Sequence, residues 1–269
     1  MVLWFDFHPQ QLNNFLKFCK YRNDAKKTNS LNLSKCDWIF PSTLLPLGVF
    51  LRENSDINYT PPDNQSVAEY ISLMVKGCNL PSKATCSYLP LIELPKDEKD
   101  AGRILKGIYD IHNGGKEYGG EQAFKYLINE LTDNIYQHSE FQQAFIMAQR
   151  YKQHKFVEIC FYDNGITING SFKKNGLIIE EDYGAIAEAI NGLSTKNQTE
   201  RGFGLGSNFK IFTQGLNGEI LIVSGSGAIY VNKQQRKAYK FQESNILMGT
   251  MISVKVPFPA KEIDIYDYL

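Results

Sequence analysis

Long apolar runs are missing from this chain, and none approaches the roughly 18 residues that a membrane-spanning helix requires. The opening MVLWFDFHPQ has no basic start followed by an apolar stretch, so a secretory leader is not expected either. A cytoplasmic protein that neither enters nor crosses a membrane is the expectation. Charge of one sign is not in excess: Lys plus Arg number 29 and Asp plus Glu number 29, so no overall field draws the chain to nucleic acid. The five cysteines, Cys19, Cys36, Cys78, Cys86 and Cys160, include no C-x-x-C pair, and no histidine stands at zinc-ligand spacing. Buried, reduced thiols fit better than a disulfide framework or a zinc site. Repeats of 20 to 50 residues and low-complexity tracts are also lacking, which excludes solenoids and disordered tails.

What remains is an ordinary globular composition, 43% hydrophobic and 22% charged over 269 residues, enough for one large domain or two small ones. The first hundred residues mix short apolar runs with proline and asparagine. Cys36–Pro41 is predicted as a strand closing at the proline, with a helix over Leu44–Leu51. Asp56–Asp63 is predicted as a turn-rich connection and Ala68–Lys76 as a helix. The charged stretch Leu94–Asp100 has the composition of a linker. These features divide the chain into residues 1–100, a small α/β region, and residues 101–269.

From Glu121 the pattern sharpens. Phe124, Leu127, Ile128, Leu131 and Ile135 recur at helical spacing, a stripe that faces a core. A strand is predicted over Phe156–Tyr162, with Val157, Ile159 and Phe161 alternating against Glu158, Cys160 and Tyr162. A helix over Tyr183–Ile190 follows, then a polar glycine-rich loop from Gly192 to Gly206, and a helix to about Gln214. Strands over Glu219–Ser224, Ala228–Val231 and Thr250–Val256 complete the second part. Helices on one side of a mostly antiparallel sheet make this an α+β fold. The many aromatic residues fall at apolar positions and belong to the core rather than to a stacking platform.

Three groups of residues carry chemistry. Glu130, Asn134 and His138 are four apart on the striped helix and share one face beside the apolar stripe; in isolation they would be a solvated face. Asp163-Asn164-Gly165 begins where the apolar strand ends, which suits either a tight turn or a ligand-binding edge. A buried carboxylate there can accept a hydrogen bond from an exocyclic amine, as a pocket selective for adenine requires. Gly202-Phe203-Gly204-Leu205-Gly206 precedes a helical stretch, where glycines let backbone amides approach phosphates. No Gly-Lys-Ser/Thr follows and no strand precedes it, so neither a Walker A loop nor a dinucleotide fingerprint applies.

Taken in order, these motifs resemble those of the GHKL superfamily of gyrases, heat-shock chaperones and histidine kinases. Glu130 to His138 resembles its N box, and Asp163-Asn164-Gly165-Ile166-Thr167-Ile168 its first glycine box. Ser194-Thr195-Lys196 with Arg201 to Gly206 is similar to the ATP lid and second glycine box, and Gly249-Thr250 to the threonine that closes the adenine pocket. The resemblance implies a C-terminal two-layer α/β sandwich of the Bergerat type that binds ATP and Mg2+. Asn134 is then the magnesium ligand, Asp163 and Thr250 hold adenine, and Gly165 lets the base approach. Thr195, Lys196, Gly202, Gly204, Leu205 and Gly206 surround the phosphates, His138 lies beside the nucleotide, and Glu130 orients or deprotonates the attacking water. The family usually has a second glycine where this chain has Thr167.

More closely, the chain resembles stand-alone bacterial ATP-binding proteins of histidine-kinase-like fold, through Tyr70-Ile71-Ser72-Leu73-Met74 and Ala148-Gln149-Arg150-Tyr151. In that case the N-terminal region is regulatory or STAS-like, and a STAS-like protein partner and a homodimer enter the expectations. His8, His112 and His154 lack the setting of a phosphoacceptor and are expected at the surface, so autophosphorylation on histidine is disfavoured. Slow ATP hydrolysis as a conformational switch, serine/threonine phosphorylation of a STAS-like partner in the manner of an anti-sigma factor, and nucleotide as a purely structural ligand remain as readings.

Overall fold

The computed structural model of the chain describes residues 8–76, 87–193 and 209–268. Among these, seven strands form one sheet: β3 (Tyr88–Glu93), β4 (Ala144–Tyr151), β5 (Phe156–Asp163), β6 (Glu219–Gly225), β7 (Gly227–Val231), β8 (Arg236–Lys240) and β9 (Leu247–Pro257). Their order is β3-β4-β5-β9-β6-β7-β8, and every neighbouring pair is antiparallel. The fold is therefore α+β with a large antiparallel sheet. Among the described residues no helix is long and apolar enough to cross a membrane.

Both faces of the sheet are covered. Val157, Ile159 and Phe161 of β5 join Ile252, Val254, Ile220 and Ile222 beneath α5 (Glu121–His138), whose buried side chains are the predicted stripe Phe124, Leu127, Ile128, Leu131 and Ile135 together with Ala123 and Thr132. Cys160 and Tyr162 of β5 face the other way, with Phe145, Met147, Leu221, Val223 and Met251. Over them lie α1 (Gln10–Thr28), α2 (Pro41–Glu53) and α3 (Gln65–Lys76). Alternation along β5 thus separates two apolar cores rather than a core from solvent.

The N-terminal layer departs from expectation in places. Cys36–Phe40 is not a strand: Phe40 is extended at the N-cap and Pro41 occupies the first turn of α2, a position where its missing N–H costs nothing. The strands of this layer are instead the short parallel pair β1 (Ser30–Asn32) and β2 (Asn58–Thr60), the latter inside the predicted turn. The charged stretch near residue 97 starts a helix, α4 (Glu98–Ile111), where the Asp97 side chain accepts from Lys99 N–H and Glu98 and Asp100 complement the helix dipole. The expected division between residues 100 and 101 falls inside this helix. His112, expected at the surface, is buried; its Nδ1 lies 2.7 Å from the Ile108 carbonyl, and burial holds its pKa down to about 4. The Tyr70 and Ala148–Tyr151 signatures meet under α3, where Trp38 stacks on Tyr70 at 4.6 Å and its Nε1 donates to the Tyr151 hydroxyl.

One carboxylate ties the two halves together. Glu158, fully buried on β5, accepts from the Ser42 N–H of α2 at 3.1 Å and from the Ser253 hydroxyl of β9 at 3.1 Å, while Gln11 of α1 donates to Ser253. Burial raises its pKa above 4.5, and these hydrogen bonds oppose the rise only in part. Its stabilising contribution is complete below pH 4.5 and is lost as pH climbs toward the raised folded value. Relative to Glu158→Gln, the wild type should lose stability as pH rises above 4.5. Urea unfolding across that range tests this, and parallel curves for the two proteins would contradict it.

Candidate functional site

Three adjacent strands bring a polar row to one end of the sheet. Asp163 closes β5 and pairs with Thr250 of β9, which pairs with Ser224 of β6. By period-two alternation all three continue the face that α5 covers, following Phe161, Ile252 and Ile222. The Ser224 hydroxyl sits 2.9 Å from the Thr250 hydroxyl and accepts from Ile168 N–H at 3.0 Å. All three residues are buried at the boundary of the apolar core.

Asp163 is only 3% exposed, yet it ends a strand beside a loop. Its Oδ1 accepts from Gly165 N–H at 3.0 Å. Burial pushes its pKa up to about 7, against the opposing pull of that N–H and of the Ser139 hydroxyl. The nearby Asn164 Oδ1 accepts from the N–H groups of Gln142 and Gln143, which folds the loop back on β4.

The last turn of α5 is fastened to this loop. Ile166 N–H donates to the Ser139 carbonyl at 2.6 Å, and a Cβ at Gly165 would overlap that same carbonyl, so only glycine fits the contact. Gly249 holds φ +86°, and a Cβ there would overlap the Asp163 carbonyl. Glycine at both positions lets three backbone segments meet at the carboxyl.

His138 precedes Ser139, and Asn134 and Glu130 follow up the helix, about 8 and 14 Å from Ser139 at helical rise. All three are partly exposed. The Asn134 NH2 donates to the Glu130 carbonyl one turn back at 2.6 Å, and the amide oxygen is of the hard type that suits a cation. Thr167, standing where a second glycine was expected, caps α6 (Ile168–Lys174): its hydroxyl accepts from Gly170 N–H at 2.9 Å.

On the other flank, α7 (Asp182–Ile190) is locked to the β6–β7 hairpin. The Asp182 carboxylate accepts from Ser226 N–H at 2.7 Å, from the Ser226 hydroxyl and from the Asn169 amide. Burial pushes its pKa up, but these hydrogen bonds outweigh it and hold the pKa below the ordinary range. Helix α7 leads into the glycine-rich stretch. Thr195, Lys196, Gly202, Gly204, Leu205 and Gly206 lie outside the described residues, so the phosphate side has no structural description. No group of three or more His, Cys, Asp or Glu suited to a metal is present among the described residues.

No family model matches the chain, and no curated protein matches it. The functional reading therefore stands on the residues themselves. Sequence reasoning singled out Asp163, Gly165 and Thr250, which the fold brings together, and passed over Ser139, Ser224 and Asp182. Of these, only Ser139 carried a signal, as the residue that ends the striped helix.

The glycine contacts are testable. Gly165→Ala and Gly249→Ala should each cost about 1–3 kcal/mol through overlap with backbone atoms. Gly102→Ala, where a Cβ meets nothing within 4 Å on α4, should be neutral or stabilise by about 0.5–1 kcal/mol. Equal urea midpoints for all three variants would contradict the packing described.

Proposed function

We propose that the chain binds a magnesium adenine nucleotide at the ends of β5, β9 and β6, in a Bergerat-type site like that of GHKL ATPases. It hydrolyses ATP slowly, and nucleotide state switches its conformation. The observation that carries this reading is Asp163, a carboxyl buried at a strand end beside Thr250 and bordered by two glycines that let backbone segments close in around it. Its Oδ1 closes the turn by accepting from Gly165 N–H, and burial still pushes the carboxyl's pKa up to about 7. An exocyclic amine would add a further donor to this buried carboxyl.

The residues fit the expected groups. Asn134 presents an amide oxygen suited to Mg2+, which would neutralise the phosphates, and Glu130 on the same helix supplies a carboxylate to orient or deprotonate water. Retention of Glu130 favours turnover over purely structural binding. The Thr250 hydroxyl, fixed by Ser224, completes the polar edge beside Asp163.

Isothermal titration with a non-hydrolysable ATP analogue tests the pocket. Saturable, magnesium-dependent binding is expected, weakened about tenfold or more in Asp163→Asn. Absence of binding by the wild type would overturn the reading. Glu130→Ala should abolish turnover and keep binding, and unchanged turnover would remove Glu130 from catalysis.

The pH dependence carries opposite signs for ligand and fold. The ionised carboxylate is the stronger acceptor for the amine, so affinity should fall as pH drops below about 7. In the nucleotide-free protein the protonated carboxyl is the favoured buried form. Its contribution to stability is fully present below pH 3.8 and is lost as pH rises through 7. Titrations at pH 6 and 8 should differ in the wild type, and equal affinities would contradict an ionised Asp163 as the acceptor.

A further inference from the structure

The strand that carries Thr250 is interrupted just before it. Ser224 of β6 pairs with Thr250, but the next residue, Gly225, pairs with Leu247, so Met248 and Gly249 form a bulge in β9. Bulges turn the side chains beside them, and this one sets the direction in which Thr250 emerges next to Asp163. Its downstream side is fixed by Gly249, flush against the Asp163 carbonyl, and the Tyr162 hydroxyl donates to the Met248 carbonyl at 3.2 Å.

Its upstream side is fixed from the opposite layer of the protein. Arg22, on helix α1, donates through Nη1 to the Ile246 carbonyl at 2.8 Å and through Nη2 to the Ser244 carbonyl at 2.7 Å. The Asn23 amide donates to the Ser244 carbonyl at 2.7 Å, and the Cys19 thiol lies 3.8 Å from the Asn245 carbonyl. Three consecutive carbonyls are thereby held by one turn of a helix more than 220 residues away in sequence. The guanidinium is held in turn over the Phe18 ring, 5.3 Å from its centroid. Ile246 is four residues from Thr250, with the bulge between them.

We propose that helix α1 is a positioning element of the adenine pocket, and that Arg22 is the residue through which it acts. This rests on the nucleotide reading above. Arg22 does not touch the ligand; it pins the start of the bulge, and the bulge aims Thr250. Any displacement of α1 on the far face of the sheet is then felt at the base-recognising edge, which makes the N-terminal layer a control on nucleotide binding rather than a cover alone.

The test compares wild type, Arg22→Ala, Arg22→Lys and Arg52→Ala. Arg52 bonds the Val75 carbonyl between α2 and α3, so its loss removes a similar clasp away from residues 244–250. Affinities for non-hydrolysable ATP and GTP analogues are measured by titration, and backbone hydrogen exchange of residues 244–250 is followed without ligand. Arg22→Ala should bind the ATP analogue about tenfold more weakly, discriminate less against the GTP analogue and exchange faster at 244–250. Arg22→Lys, which keeps the charge and one donor group, should fall between, and it carries the test if the alanine variant does not fold. Arg52→Ala should match the wild type. Wild-type affinity and selectivity in both Arg22 variants would overturn the positioning role alone, as would an equal loss in Arg52→Ala. No binding by the wild type would overturn the nucleotide reading and this inference with it.

Discussion

Burial of the sheet on both faces is the constraint from which the rest follows. An antiparallel sheet commonly leaves one face to water, but in β5 Val157, Ile159 and Phe161 are buried on one side and Glu158, Cys160 and Tyr162 on the other. The central strands therefore need two coverings. Helix α5 supplies one, and α1, α2 and α3 supply the second. Glu158 is the one carboxylate on the second face of β5, and it is tolerated because α2 presents an unpaired helix-terminal N–H to it and β9 a hydroxyl.

The same double burial makes the candidate site. Asp163 lies where the strand leaves the sandwich, close enough to the core to be desolvated and close enough to the edge to meet a ligand. Had the α5 face been open, water would reach the carboxyl and burial would no longer push its pKa up to about 7. The closeness of backbone at Gly165 and Gly249 serves the same end, since it brings the last turn of α5, the end of β5 and the bulge of β9 to one point. The polar face of α5 runs away from that point, with Asn134 and Glu130 at successive turns along it.

Legibility in the sequence followed the strength of local pattern. The α5 stripe and the alternation of β5 stood out because each repeats over several turns or residues with little interruption. Asp163 and Gly165 were readable at the end of that strand, whereas Thr250 was singled out only through the resemblance of Gly249-Thr250 to a family motif. Helix α1 was not, because its buried residues Leu12, Phe15, Phe18, Cys19 and Ala25 are scattered among polar ones and its stability comes from packing on the sheet. Strand β4 is buried along nearly its whole length and shows no alternation, and β8 is an exposed edge of mostly polar residues. The proline at residue 41 pointed to a strand end and instead begins a helix, since proline suits both places. Nor could pattern alone reveal the Arg22 clasp, which joins parts of the chain far apart in sequence and exists only once both layers are assembled.

A crystal structure of the protein grown with magnesium and a non-hydrolysable ATP analogue bears most directly on this picture. The adenine amine should lie within hydrogen-bonding distance of the Asp163 carboxylate, with the Thr250 hydroxyl beside the base and the Asn134 amide oxygen coordinating the metal. Nucleotide bound elsewhere, or a base held without Asp163, would contradict the assignment of this strand end as the adenine site.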